Sequence, residues 1–533
     1  MAAPVPDTPA TRPHPAGAEA PASIGYARYV LAVLVLVYVF NFLDRQILSI
    51  LAERIKRDLG LTDAQLGFLY GTAFAVFYAL FGIPLGRLAD TWDRRRLISL
   101  GIGFWSAMTA LSGFARTFFQ LGAARIGVGV GEASASPAAF SMLSDYFPQR
   151  VRATVLAIYA SGIYIGGGVG IFLGGAIVDH WDVLWAHTAP PFGLRGWQVA
   201  FFVVGLPGLL LALWVRTLRE PLRGQIDGIF APPEPTPFRK FALELASIFP
   251  PFTFWSLWRH GGSRRDLAFN LAAALGITLC AVFTTKLLGT GIQWGALGIG
   301  LYAAVSWGQS LRLRDAPTFA LIFHTASLRW SALSFSFLAF TGYALGFWTA
   351  PYFVRVLGVR EGDAGLVLGL TAAVAGFVGV TLGGVLADRW RRRGPKGPLC
   401  VAILTAILPV PIAVVMFTTE NRALAYALNF PLAVLGSMWL GPGASTVQDL
   451  VLPRMRASAS AAYLLVITFV GLAMGPYAVG RMSLALGSLR AAILWALCAN
   501  ALSLLSTGLA LRRITEDTAS RIDRARAAGE TLL

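Results

Sequence analysis

Apolar runs of about 20 residues recur along this 533-residue chain, and they constrain its fold more than any other feature. A helix needs roughly 20 predominantly apolar residues to cross the hydrocarbon of a bilayer. Reading by that length places spans near 29–51, 66–88, 97–115, 119–142, 153–178 and 197–216. Two more follow near 267–286 and 291–309, and six near 329–353, 364–387, 398–417, 424–447, 458–480 and 489–511. The composition agrees: 56% of residues are hydrophobic and only 13% charged, against about a quarter charged in a soluble domain. The expectation is an all-α integral membrane protein with about 14 transmembrane helices, arranged as six, a hairpin of two, and six.

The formal charge of +17 invites a nucleic-acid reading, but the arginines sit in short loops between spans and form no basic stripe. Arg94–Arg96, Arg150/Arg152, Arg216/Arg219/Arg223, Arg264–Arg265, Arg312/Arg314, Arg391–Arg393, Arg454/Arg456 and Arg512–Arg513 all fall on one side. By the positive-inside rule that side is cytoplasmic. Both termini share it, in a multi-pass protein of the inner (plasma) membrane. The run Glu53-Arg54-Ile55-Lys56-Arg57-Asp58 is an outer exception whose charges nearly balance. Residues 1–25, rich in Pro and Ala, read as a disordered cytoplasmic tail. Residues 217–265 read as amphipathic surface helices, with Trp255 and Trp258 beside Arg259, Arg264 and Arg265. Three cysteines and five histidines lack metal or redox spacing, and no nucleophile or phosphate loop points to an enzyme or a cofactor.

Four charges lie inside the spans: Asp44 and Arg45 in the first, Arg125 and Glu132 in the fourth. An ionised group at mid-membrane costs at least ~2.5–3.5 kcal/mol, so it faces protein or water and marks a pathway. At ~1.5 Å per residue, Asp44 and Arg125 both lie roughly 10 Å from the outer face. That depth pairs Asp44 with Arg125. The arrangement fits proton exchange on Asp44 and Glu132, with Arg45 and Arg125 as counter-charges; the bland alternative is a fixed ion-pair lattice.

The two sets of six repeat one another. Gly86-Arg-Leu-Ala-Asp90 ends the second span and Gly384-Val-Leu-Ala-Asp388 its counterpart; each is followed by Trp and three arginines. Asp145-Tyr-Phe-Pro-Gln-Arg-Val-Arg152-Ala matches Asp449-Leu-Val-Leu-Pro-Arg-Met-Arg456-Ala, and the same offset pairs Tyr159 with Tyr463. Duplicated halves are a transporter signature, with the site near the midplane between them.

On these motifs the chain resembles the major facilitator superfamily. The loop signature G-x-L-A-D-R-x-G-R-R is partly kept, and Arg125-Ile-Gly-Val-Gly-Val-Gly131-Glu132 is close to the superfamily's fourth-helix motif. Asn41-Phe-Leu-Asp44-Arg45 with Gly131-Glu132-Ala133 resembles the Spinster-like branch, although the inserted hairpin departs from its usual twelve spans. The resemblance implies two pseudo-symmetric six-helix bundles, at about 26–216 and 328–511. A linker at 217–327 carries the hairpin (about 267–309), which packs beside the bundle, and 512–533 is a cytoplasmic tail. It also implies a cytoplasmic gate formed by Asp90, Arg94, Arg152, Asp388, Arg392 and Arg456, with Asp90 reaching Arg456 and Asp388 reaching Arg152.

The second half has no intramembrane charge at comparable depth. It offers aromatic residues instead, Tyr343, Phe347, Trp348 and Trp439, with Tyr159 and Tyr463 as further cavity candidates. Tyr352 and Phe353 fit lipid-facing anchors equally well. A wall of charge opposite an aromatic wall suits an amphiphile, and the resemblance implies a lysophospholipid-like substrate. A sugar or organic-acid symporter, a multidrug/proton antiporter and a nontransporting receptor stay open. Protons, membrane lipids and a small amphiphile are the expected partners, for a monomer.

Overall fold

The computed structural model describes residues 23–226 and 234–530, helical almost throughout and without a strand among the described residues. The expected tail at 1–25 falls almost wholly outside them. Eleven helices are long and apolar enough to cross a membrane. Helices Arg94–Ser112, Phe118–Glu132 and Gly291–Arg314 occupy the remaining expected spans but do not meet that measure of length and hydropathy. The fourth expected span, 119–142, is broken: Phe118–Glu132 and Ala135–Tyr146 are separate helices. Several helices overrun the apolar runs that announce them. The first runs Ile24–Leu59 and the last reaches Ala519, because polar turns continue a helix once its apolar stretch is formed. Beyond it, Arg521–Ala527 is helical and Arg521 donates to the Asp449 carbonyl at 2.6 Å, so the C-terminal segment docks on the bundle.

Glycine spacing sets how the helices meet. On helix Gln149–Leu184, a Cβ at Gly166 would lie 2.2 Å from the Val39 carbonyl oxygen, and one at Gly170 would lie 2.7 Å from that of Leu43. With Gly162 and Gly174 they form one face, at i, i+4, i+8 and i+12, pressed on the first helix. Gly168 and Gly175 point elsewhere and meet Gly369 and Glu361 of helix Glu361–Arg391. One helix therefore holds its own half together and also seals against the other half.

The inserted hairpin comprises Arg264–Leu288 and Gly291–Arg314. Its first helix is almost wholly exposed to the surroundings. Its second helix lies across the seam between the halves. A Cβ at Gly300 would touch Phe469 of the second half at 2.8 Å and Val76 of the first at 3.1 Å. At its outer end Trp294 packs edge-on against Tyr477, 5.9 Å between ring centroids, and Thr290 hydrogen-bonds the Tyr477 hydroxyl. The linker before the hairpin carries helices Pro237–Ala246 and Phe252–Arg259, with Trp255 and Trp258 exposed as expected of surface-lying segments.

Candidate transport site and gates

Three helices hold the charge cluster. Helix Phe118–Glu132 is clamped on two sides through its glycines. A Cβ at Gly129 would lie 2.5 Å from the Phe74 carbonyl oxygen, and one at Gly131 would lie 2.8 Å from Trp105 Cβ. That clamp fixes Arg125 and Glu132, seven residues apart, on the face turned to the first helix. Arg45, one residue past Asp44, donates from Nη2 to Glu132 Oε2 at 2.7 Å, and both side chains are buried. The Arg45 guanidinium also sits 4.1 Å from the Phe74 ring centroid and 4.6 Å from that of Phe42, a cation–π cradle.

The pairing thus differs from the depth count. Arg125 Nη1 donates to the main-chain carbonyl of Asp44, at 3.1 Å, and not to its carboxylate. The ion pair joins Arg45 to Glu132 instead, because the helical rotation from Asp44 to Arg45 carries the arginine to the Glu132 side. Both Asp44 carboxylate oxygens are buried without a hydrogen-bond partner among the described residues. Trp105 and Thr109 are the side chains within polar reach. Arg125 Nε and Nη2 and Glu132 Oε1 are likewise buried and unsatisfied. Native proteins rarely leave such groups unpaired, and they accumulate at functional sites.

Tyr343 of the second half faces this wall, within electrostatic reach of Arg45, as is Tyr78. Of the other cavity candidates, Tyr159 stacks on Tyr38 at 4.4 Å between centroids, inside the first half, and Tyr463 is buried against Phe335; neither hydroxyl has a hydrogen-bond partner of good geometry among the described residues. Trp439 lies buried in the second half beside Gly342. Phe347 contacts Tyr70 across the seam, 4.5 Å between centroids, and Trp348 Nε1 donates to the Pro476 carbonyl at 2.8 Å. Tyr352 and Phe353 are fully buried, and the Tyr352 hydroxyl donates to the Phe417 carbonyl at 2.9 Å, so neither is a lipid-facing anchor. Pro476 follows a π-helical stretch, Ile467–Ala473, a device common at functional sites.

The halves are tied at the end away from the arginine loops. Arg355 of the second half grips Glu53 (2.6 Å) and Asp63 (2.7 Å) of the first. Arg54 holds Glu361 at 2.8 Å, and the Gly362 amide donates to Asp179 at 2.9 Å. Deeper in, Ser49 donates to the Phe347 carbonyl and Thr72 to that of Ala473. The near-balanced outer run is therefore an outer gate, and sequence reading missed Glu53, Arg54, Asp63, Arg355 and Glu361. The signal was present as charge on the side that the positive-inside rule leaves poor.

At the arginine-rich end no ion pair joins Asp90 to Arg456 or Asp388 to Arg152 among the described residues. Asp90 and Asp388 are exposed and join no ion pair among the described residues. Arg392 and Arg456 are exposed too. Arg152 donates to the carbonyl of Ser144, within its own half, at 2.8 Å. Arg94 is buried and binds Asp145 of the first half together with Glu220 (2.6 Å) and the Pro221 carbonyl at the start of the linker, not the second half. Arg391 repeats this in the second half, pairing with Asp449 at 2.6 Å. Among the described residues, ion pairs therefore tie the halves at the outer end, and none of the expected inner pairs is present.

Two helical halves, a buried charge cluster in the first of them and ion pairs tying the halves at one end are the arrangement of a membrane transporter. The Major Facilitator Superfamily profile matches residues 34–476, and the chain belongs to that family. An "MFS-type efflux pump" of Mycolicibacterium smegmatis is 26% identical, covering 85% of this chain and 83% of the relative. Drosophila melanogaster "Protein spinster" is 23% identical over 86% of this chain and 63% of its own length. Among solved structures, a bacterial homolog of the human lysosomal transporter Spinster in an inward-facing, unoccupied conformation superposes with a TM-score of 0.62. It is 26% identical, covering 96% of this chain and all of that one.

Proposed function

We propose that this protein is a proton-coupled transporter of an amphiphile with an anionic head group, lysophospholipid-like, working by alternating access. The observation that carries the reading is the unpartnered Asp44 carboxylate beside the Arg45–Glu132 pair and Arg125. Fully ionised, the four groups cancel. A proton on Asp44 leaves the two arginines against one carboxylate, a net positive charge at the seam that attracts one anion. Loss of the proton restores neutrality and releases the anion. Tyr343, Phe347 and the aromatic cradle of Phe42, Phe74 and Tyr78 supply apolar surface for a chain beside the charged head.

The test is uptake of labelled lysophospholipid, a sugar acid and a cationic dye into proteoliposomes, each with and without a pH gradient. Asp44→Asn should abolish gradient-driven lysophospholipid transport while the purified variant keeps its thermal unfolding profile. Gradient-driven uptake unchanged in Asp44→Asn, or uptake of the sugar acid or the dye alone, sinks the proposal.

A further inference from the structure

A polar cavity lined by none of the four intramembrane charges lies at the outer mouth of the first half. It measures about 270 Å³ and is walled by the last turn of the first helix, the end of helix Gln149–Leu184 and the loop before Gly196. Its charged residues are mostly engaged. Arg54 pairs with Asp182 at 2.7 Å and with Glu361 of the other half. Asp58 binds Arg195 and accepts from Trp197 Nε1 at 2.7 Å. Two donors are left over. Arg57, an exposed residue at the cavity's rim, joins no ion pair among the described residues. Trp185 lines it too, and its Nε1–H is buried without an acceptor. A buried indole N–H ordinarily finds a partner, and leaving one unmade costs ~1–3 kcal/mol. The shared property of the two spare groups is that both donate hydrogen bonds and neither accepts. Counting Glu361, which Arg54 also holds, the three arginines meet three carboxylates, and Arg57 is the arginine left without an ion pair among the described residues.

We propose that this cavity is an oxyanion-binding site at the outer mouth, taking a phosphate or carboxylate group between the Arg57 guanidinium and the Trp185 indole N–H. The oxyanion supplies the acceptor that Trp185 lacks and the counter-charge that Arg57 lacks. Trp181 and Trp185 offer flat apolar surface beside it for whatever the head group carries. Arg54, on the same wall, is one of the residues that tie the two halves, so an occupant sits against those outer contacts.

The site is tested by binding, independently of what is transported. The purified full-length protein is titrated calorimetrically with inorganic phosphate, with octyl phosphate below its micelle concentration, and with octanol. Saturable binding of inorganic phosphate, weakened about tenfold in both Arg57→Gln and Trp185→Phe, supports a site for free oxyanions. Binding of octyl phosphate alone, with the same losses, supports a lipid-type head group. Equal affinity for octanol, no binding of either phosphate, or titrations unchanged in both variants would overturn the site. Trp185→Phe keeps the ring and removes only the donor, so a loss there is not a packing effect. Transport in the Asp44→Asn experiment is unaffected by any of these outcomes.

Discussion

Replacing Arg355 by Gln tests the gate directly. In the structure the Arg355 guanidinium donates from Nε and Nη2 to Glu53 and from Nη1 and Nη2 to Asp63, at 2.6–3.1 Å, across the two halves. Its side chain is 24% exposed, Glu53 13% and Asp63 3%. An exposed ion pair contributes ~0–1 kcal/mol, and breaking a buried one costs ~3–5 kcal/mol. This network lies between. Asp63 keeps Lys56 and Ser483 when Arg355 is lost, whereas Glu53 keeps nothing among the described residues. A loss of about 2 kcal/mol is a fair value for the half-buried case. The contacts exist only while the outer side is closed, so the whole loss falls on that state and shifts the equilibrium. Two kcal/mol is a change of about 30-fold in population toward the outward-open form. The assay is double electron–electron resonance between spin labels at Val183→Cys and Glu420→Cys, one exposed outer position in each half, with Cys280, Cys400 and Cys498 replaced by Ser. A longer-distance component should appear or grow on Arg355→Gln. A distance distribution identical to that of the parent would refute the gate assignment.

Other perturbations follow from the same geometry. Gly168→Val places a Cβ 2.3 Å from the Gly369 carbonyl oxygen; overpacking of this kind costs ~1–3 kcal/mol, and the same label pair should show outer separation. Arg45→Met or Glu132→Met alone should cost ~3–5 kcal/mol by stranding a buried charge, while the double variant costs much less; thermal unfolding in detergent reads the coupling, and additive losses would refute the pair. Asp315 caps helix Ala316–Phe323, accepting from the Thr318 amide at 3.1 Å, and pairs with Arg454 at 2.8 Å. Burial raises its pKa, but the hydrogen bonds from Arg454 and Thr318 outweigh this and hold it below the ordinary value. A carboxyl depressed on folding stabilises above its unfolded pKa, near 3.9, and that contribution is lost as pH falls through the folded value. Hydrogen exchange of residues 316–323 should therefore quicken below roughly pH 4, and Asp315→Asn should remove that acid dependence.

The sequence makes the helical architecture legible because hydrocarbon leaves so few alternatives. Apolar length alone finds the spans, and the repeated Gly-x-Leu-Ala-Asp motif relates the halves. The same reading finds the four intramembrane charges and brings Asp44 and Arg125 to one level. It does not settle who pairs with whom. Depth fixes position along a helix axis, while pairing depends on rotation about it, and one residue is ~100° of rotation. Asp44 and Arg45 are neighbours in the chain yet serve different partners for that reason. The outer gate escapes for a related cause. Glu53, Asp63 and Arg355 lie at helix ends, where charge is inexpensive and unremarked, and only the tertiary fold shows that they cross the seam. The expected inner pairs, Asp90 with Arg456 and Asp388 with Arg152, are not among the contacts of the described residues, whereas the outer ties are.

The hairpin helix Gly291–Arg314 gives the protein two unlike flanks. One flank is a bare seam of helices Gln149–Leu184 and Glu361–Arg391, pressed together through glycines at its outer half. The other is covered: Gly300 lies between Val76 and Phe469, and Thr290 is fastened to Tyr477. When the halves rock, the fastened end travels with the second half, and the Val76 contact must slide. The molecule thus has a hinge side and a door side. A solute drifting in the plane of the bilayer meets a helix on the first and a parting line on the second.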